Sequence, residues 1–305
     1  MSNIPVLLLI YNRPGYTKRL IANLKKTKPK IIYIFCDGPK NIQDKVLCQK
    51  AINETLKINW KCFIKKKTLK KNLGCKEAVS RAINWFFNYN KKGIILEDDC
   101  LPNKIFFKFC EMMLKYYYKN KNIGCITGDN FLSDNFKFQD NYYLSKYANC
   151  WGWATWRNRW NFYKKDINFW PKLKKSKKWN SNFLSRDERE YWSQIFDRCY
   201  ENKIDSWAYP WTLSLWKNNL LTVTPAKNLV HNIGLSSSRN FFNFKNKSYK
   251  SEYLNLRKVK FNKNLKINNS ADTFLFIKHY KGKSKLIFWF MLKTLRLYKI
   301  YNFLK

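Results

Sequence analysis

Residues 94–102 read Ile94-Ile95-Leu96-Glu97-Asp98-Asp99-Cys100-Leu101-Pro102, an apolar run that ends in three adjacent carboxylates. Runs of the same apolar, β-branched or aromatic character recur at 6–10, 31–35, 60–64 and 123–127, and with 93–96 they read as five strands. Between them lie helical patterns. Val79, Ala82, Ile83 and Phe86 fall at i, i+3, i+4 and i+7, and so do Phe106, Phe109, Cys110 and Met113, with Asn103 just before the second set as an N-cap. Strands alternating with helices predict an α/β fold with a mostly parallel central sheet covered on both faces. Ligands of such sheets sit beyond the carboxyl ends of the strands.

Those ends carry polar groups. Tyr11-Asn12-Arg13-Pro14-Gly15 follows the first strand and Cys36-Asp37-Gly38-Pro39 the second. Glycine and proline account for part of this as turn chemistry. The acidic triplet is harder to explain that way, because only 20 of 305 residues are acidic. Three adjacent carboxylates repel one another, and a hard divalent cation with oxygen ligands offsets that repulsion and bridges to a diphosphate.

Lysine and arginine number 60, giving a formal net charge of +40. So much positive charge invites a nucleic-acid reading. The lysines are spread along the chain rather than gathered in a stripe, so no nucleic-acid partner is expected. Attraction to a nucleotide diphosphate or an anionic membrane suits the charge better. The nine cysteines are odd in number and lack CxxC spacing, which predicts free thiols in a reducing, cytoplasmic setting. Two histidines leave no zinc site. The apolar run nearest the N-terminus is too short for a signal segment, and no stretch reaches membrane-span length.

Residues 131–235 are Trp-rich, with helices expected at 186–202 and 206–218, and read as an extension that covers one side of the sheet built from residues 1–130. Residues 236–305 form a basic linker, to about 265, and a C-terminal helical tail. In the tail Lys293, Arg296 and Lys299 share one helical face, suited to peripheral contact with an anionic membrane or to docking on the body.

The triplet resembles the Glu-Asp-Asp form of the acidic metal motif of GT-A glycosyltransferases. Its company narrows the likeness: Asn72-Leu73-Gly74, Phe106-Phe107-Lys108-Phe109-Cys110, Gly128-Asp129-Asn130-Phe131 and Trp151-Gly152-Trp153-Ala154-Thr155-Trp156-Arg157. Over roughly residues 4–235 the chain is similar to bacterial nucleotide-diphospho-sugar transferases related to N-acetylglucosaminyltransferase I. The resemblance implies a GT-A (Rossmann-like) mixed sheet. It also implies a metal-dependent hexosyl- or N-acetylhexosaminyltransferase that uses a UDP-sugar with Mn²⁺ or Mg²⁺. The acceptor would be a glycan or lipid-linked glycan of surface polysaccharide or lipopolysaccharide, and the transfer inverting.

By position, the resemblance implies that Asp99 binds the metal while Glu97 and Asp98 face donor sugar and ribose. Arg13 approaches the nucleotide and Asp37 the uracil, with Tyr11, Asn72 and Gly74 completing the donor pocket. Lys76, at a helix N-terminus, becomes a phosphate contact, and His231 a late addition to the metal site. Trp151 and Trp153 become sugar-stacking platforms for the acceptor. The catalytic base is expected at Asp205, with Glu190, Asp187 and Asp129 as alternatives, because Ala208 stands where many relatives carry Asp. Two other readings remain: a basic nucleic-acid-binding protein, and a sugar-nucleotide-binding module without catalysis.

Overall fold

Every residue of Val6–Ile10 (β1) is buried, because alternate side chains feed opposite faces of one sheet. Leu7 and Leu9 join one apolar cluster, while Val6, Leu8 and Ile10 join the other. The structure is a computed structural model describing residues 3–234, 249–262, 264–282 and 284–287.

Along the chain follow α1 (Pro14–Leu24), β2 (Ile31–Cys36), α2 (Ile42–Glu54), β3 (Phe63–Thr68), α3 (Cys75–Tyr89), β4 (Lys92–Glu97), β5 (Cys100–Pro102), α4 (Lys104–Tyr116) and β6 (Ile123–Thr127). The later half adds β7 (Tyr142–Ser145), β8 (Trp153–Trp156) and the short helices α5 (Arg157–Trp160), α6 (Trp170–Lys174) and α7 (Lys177–Ser181). It ends with α8 (Arg186–Tyr200), α9 (Ala208–Lys217), β9 (Leu221–Pro225), β10 (Val230–Asn232) and α10 (Asn269–Lys278).

Eight strands form a mixed, mostly parallel sheet in the order β3-β2-β1-β4-β8-β6-β9-β7, and β10 pairs with β5 beside it. Strands β1–β4 run parallel, and β8 enters antiparallel between β4 and β6. The expected α/β class is what the chain adopts. The third strand is displaced: it spans Phe63–Thr68, not 60–64. It is an edge strand, so it tolerates the lysines at 65–67. The Trp60 indole instead donates to the Pro29 carbonyl at 3.0 Å.

Helices α1, α2 and α4 cover one face of the sheet. The other face carries α3, α8, α9 and α10 around an aromatic mass that includes Trp153, Trp160, Trp192, Trp211 and Trp216. Residues 249–262 and 264–278 return to this body. Asn268 N donates to the Leu144 carbonyl at 2.8 Å, and Asp272 of α10 accepts from the Ser145 hydroxyl and the Lys146 amide. Lys293, Arg296 and Lys299 of the expected tail lie outside the described residues. No helix of the described chain is long and apolar enough to cross a membrane.

Candidate active site

Parallel pairing of β1, β2 and β4 brings Arg13, Asp37 and Glu97-Asp98-Asp99 to one sheet edge. The antiparallel entry of β8 delivers Trp151 and Gly152 to the same edge, and Asp129 follows β6 there. Gly152 has φ +70°, and a Cβ there would press on Val230 and Leu96.

Arg13 is the cation of the cluster. Its guanidinium takes Asp98 through two nitrogens and Asp99 Oδ2 at 3.1 Å. Asp98 is 1% exposed, and burial raises its carboxyl to about 7 against the pull of Arg13. Glu97 is raised too, by burial and then by the charges of Asp99 and Asp98, while the Trp207 indole donates to it. Trp207 in turn stacks on Trp153 at 5.4 Å. Asp99 is fixed from behind. Its carbonyl accepts from Ile233 N at 2.8 Å, and a Cβ on Gly234 would overlap its carboxylate.

Asp37 ties down the loop before α3. It accepts from Gly38 N at 2.8 Å, Asn72 Nδ2 at 2.9 Å and Leu73 N at 3.1 Å. Burial still leaves its carboxyl above the ordinary value. Tyr11 and Asn12 both donate to Asp44 of α2, which holds that carboxyl below the usual range. Gly74 has φ +78° and lies against Asp205 Oδ2. Asp205 accepts from Cys75 N at 2.9 Å and Lys76 N at 2.8 Å, so an exposed carboxylate 130 residues away caps α3.

Three expectations need correction. Trp153 is 1% exposed, its ring packed on Trp207 and Trp211, so it is core and cannot face an acceptor. Trp151 remains half-buried at the edge, against Phe131 at 4.6 Å. Lys76 turns away from the edge: its ammonium donates to Asn202 at 2.8 Å and sits 3.7 Å from Asp166, while Asp205 holds the amides that were to meet phosphate. His231 pairs with Leu101 on β5, but burial, Arg19 and Lys250 depress its pKa, and it lines a basic hollow instead of joining the carboxylates.

Of the alternative bases, Glu190 is spent on Arg186 at 2.6 Å and Asp129 is fully buried. Burial raises the Asp129 carboxyl to about 7, opposed by a hydrogen bond from Thr127. A carboxyl raised on folding contributes stability that is full below about pH 4 and lost as pH climbs to about 7. Asp129→Asn should therefore flatten the pH dependence of unfolding in this window, by up to about 1.4 kcal/mol per pH unit. Urea unfolding of both proteins from pH 4.5 to 7.5 measures it; equal slopes would show that Asp129 does not titrate there.

Trp207, Asp44 and Gly234 escaped the sequence reading, since long-range packing brings each to the edge. Asn41 accepting from Asp44 N at 2.9 Å was the one local signal, an N-cap three residues ahead.

The described residues hold no group of three or more His, Cys, Asp or Glu placed to share a metal ion. A hard dication that grips a diphosphate keeps most of its waters and takes one or two carboxylates. Asp99, with Glu97 beside it, supplies that number in a patch where three carboxylates face one guanidinium. Both are hard oxygen donors, the ligand class that Mn²⁺ and Mg²⁺ take.

No protein-family model and no curated protein matches the chain. Among solved structures, it is similar to a mannosyltransferase from Pyrobaculum calidifontis in complex with GDP-Man and Mn²⁺. The identity is 10%, the coverage 71% of this chain and 69% of the other, and the TM-score 0.43. It is also similar to a UDP-glucose pyrophosphorylase complexed with UDP-glucose, at 8% identity, 76% and 94% coverage and a TM-score of 0.40. A galactosyltransferase in complex with donor and acceptor sugar analogs matches at 8% identity, 72% and 73% coverage and a TM-score of 0.34.

Proposed function

We propose that the chain is a metal-dependent GT-A-type glycosyltransferase that moves a sugar from a nucleotide-diphospho-sugar, of UDP type, to a glycan acceptor of surface polysaccharide or lipopolysaccharide. The observation that carries this reading is the convergence of Arg13, Asp37 and Glu97-Asp98-Asp99 on one sheet edge. The motif resemblance adds the donor class, and kinship with transferases related to N-acetylglucosaminyltransferase I is part of the proposal.

Asp99, with Glu97, would hold Mn²⁺ or Mg²⁺, which when bound supplies charge neutralisation to the leaving diphosphate. The chain does the rest. Arg13 keeps the Asp98 and Asp99 side chains in place. Asp37, by fixing Asn72 and Leu73, shapes the side of the edge proposed for the base, with Tyr11 on its flank. Trp151, half-exposed beside Gly152, offers a face to the acceptor sugar. Asp205, exposed and oriented by the α3 amides, takes the proton of the attacking hydroxyl in an inverting transfer.

The test is thermal unfolding with a panel of nucleotide sugars, with and without Mn²⁺. A donor at 100 times its Kd adds about 2.7 kcal/mol, or about 4 °C for a chain of this size. A shift that needs both donor and Mn²⁺ is expected. No shift with any nucleotide sugar would sink the reading, and stabilisation by nucleic acid instead would favour the basic-protein alternative.

A further inference from the structure

Beside β5, the C-terminal end of α1 and the start of α4 enclose a hollow of about 310 Å³, lined by Asn23, Lys26, Asn103, Lys104, His231 and Ser251 among others. A second lobe of about 350 Å³ continues from it, sharing Lys26, Thr27 and Lys104 and adding Lys28 and Lys108 around Pro29 and Phe107. Four exposed ammonium groups therefore ring one cleft, and among the described residues none of the four makes an ion pair. Unpaired lysines are common on this chain; what sets these four apart is that they share one concave place. The one acid lining the cleft is Glu111, in the second lobe.

We propose that this cleft, whose lining includes none of Arg13, Asp37 or the acidic triplet, is a binding site for a phosphate-class anion. In a concave place several ammonium groups can attract one multiply charged oxyanion together, and Asn23, Asn103 and Ser251 add neutral polar groups. The charged groups around His231 agree in sign. Arg19 from α1, Lys250 from the returning segment, and Lys26 and Lys104 of the lining are all cationic. Phosphate free in solution and the phosphate of a lipid headgroup share this chemistry, and the test separates them.

His231 serves as reporter, because the chain has only one other histidine, His279, and a His279→Gln variant assigns the resonances. In the first arm, inorganic phosphate is titrated into the unmodified protein at constant ionic strength and the His231 imidazole shifts are followed by NMR. In the second, cosedimentation is measured with phosphatidylcholine vesicles with and without phosphatidylglycerol. Lys26→Glu/Lys104→Glu is compared with the charge-matched control Lys119→Glu/Lys121→Glu; all four lysines are exposed, so both variants should fold. The expected result is a saturable response in one arm that the cleft variant weakens about tenfold or more and the control does not. A response in the first arm assigns free phosphate; one in the second alone assigns the headgroup. No response in either arm, or equal losses in the two variants, overturns the proposal.

Discussion

Arg13→Met should destabilise the protein by about 2–3 kcal/mol at pH 8 and by clearly less at pH 5. Breaking a buried ion pair by removing one partner costs about 3–5 kcal/mol, because the other charge is left without compensation. Arg13 is 39% exposed, so solvent screening puts the effect at or below the low end. Methionine keeps much of the packing of the arginine stem, which isolates the charge. The pH dependence follows from Asp98, whose carboxyl is raised to about 7 even beside the guanidinium. Without Arg13 it rises further, so at pH 5 the folded protein holds Asp98 protonated and needs no counter-ion. At pH 8 it must either hold a bare buried carboxylate or bind a proton that solution does not readily give. Urea unfolding at the two pH values measures the difference. An equal loss at both would mean that Arg13 acts through packing on Tyr16, whose ring lies 5.0 Å away, and not through its charge.

Asp99→Asn should remove the Mn²⁺-dependent part of the donor-induced thermal shift and lower transfer by about two to three orders of magnitude. Asparagine has the same shape and still accepts from Arg13, so the fold should survive. What it loses is the negative charge that binds a dication. Asp205→Asn makes the contrast. It should keep the metal-linked shift, lose about 1 kcal/mol of stability with one capping bond, and cut kcat about a hundredfold. If Asp99→Asn keeps the full shift, the metal lies elsewhere. If Asp205→Asn transfers normally, Asp205 is a helix cap and nothing more.

Much of this edge was legible because its parts are local. An apolar strand followed by Arg13, by Asp37 or by the acidic triplet declares both the strand and its polar end, and parallel pairing aligns them. Helices 75–89 and 104–116 also fell where apolar spacing put them, and 186–200 and 208–217 lie within the stretches expected to be helical. The failures have a common cause. Trp153 looked like a ligand platform because Gly152 precedes it, but Gly152 serves its own backbone and the packing of Val230 and Leu96. Nothing local tells that β8 inserts between β4 and β6 and buries the ring. Asp205 capping α3 and His231 lining a hollow with Lys26 and Lys104 likewise depend on residues far along the chain. The third strand was misplaced because lysines 65–67 obey the needs of an edge, not of a core.

That edge has its own consequence. The last strand at the opposite end, β7, is sheltered by Asn268 and α10, but β3 leaves its outer side to solvent. An open ladder invites another copy to zip on. Here any copy docking in register would bring Lys65, Lys66 and Lys67 against their own counterparts. Part of the +40 charge thus acts as a self-avoidance device, which keeps molecules crowded together from joining their sheets into one.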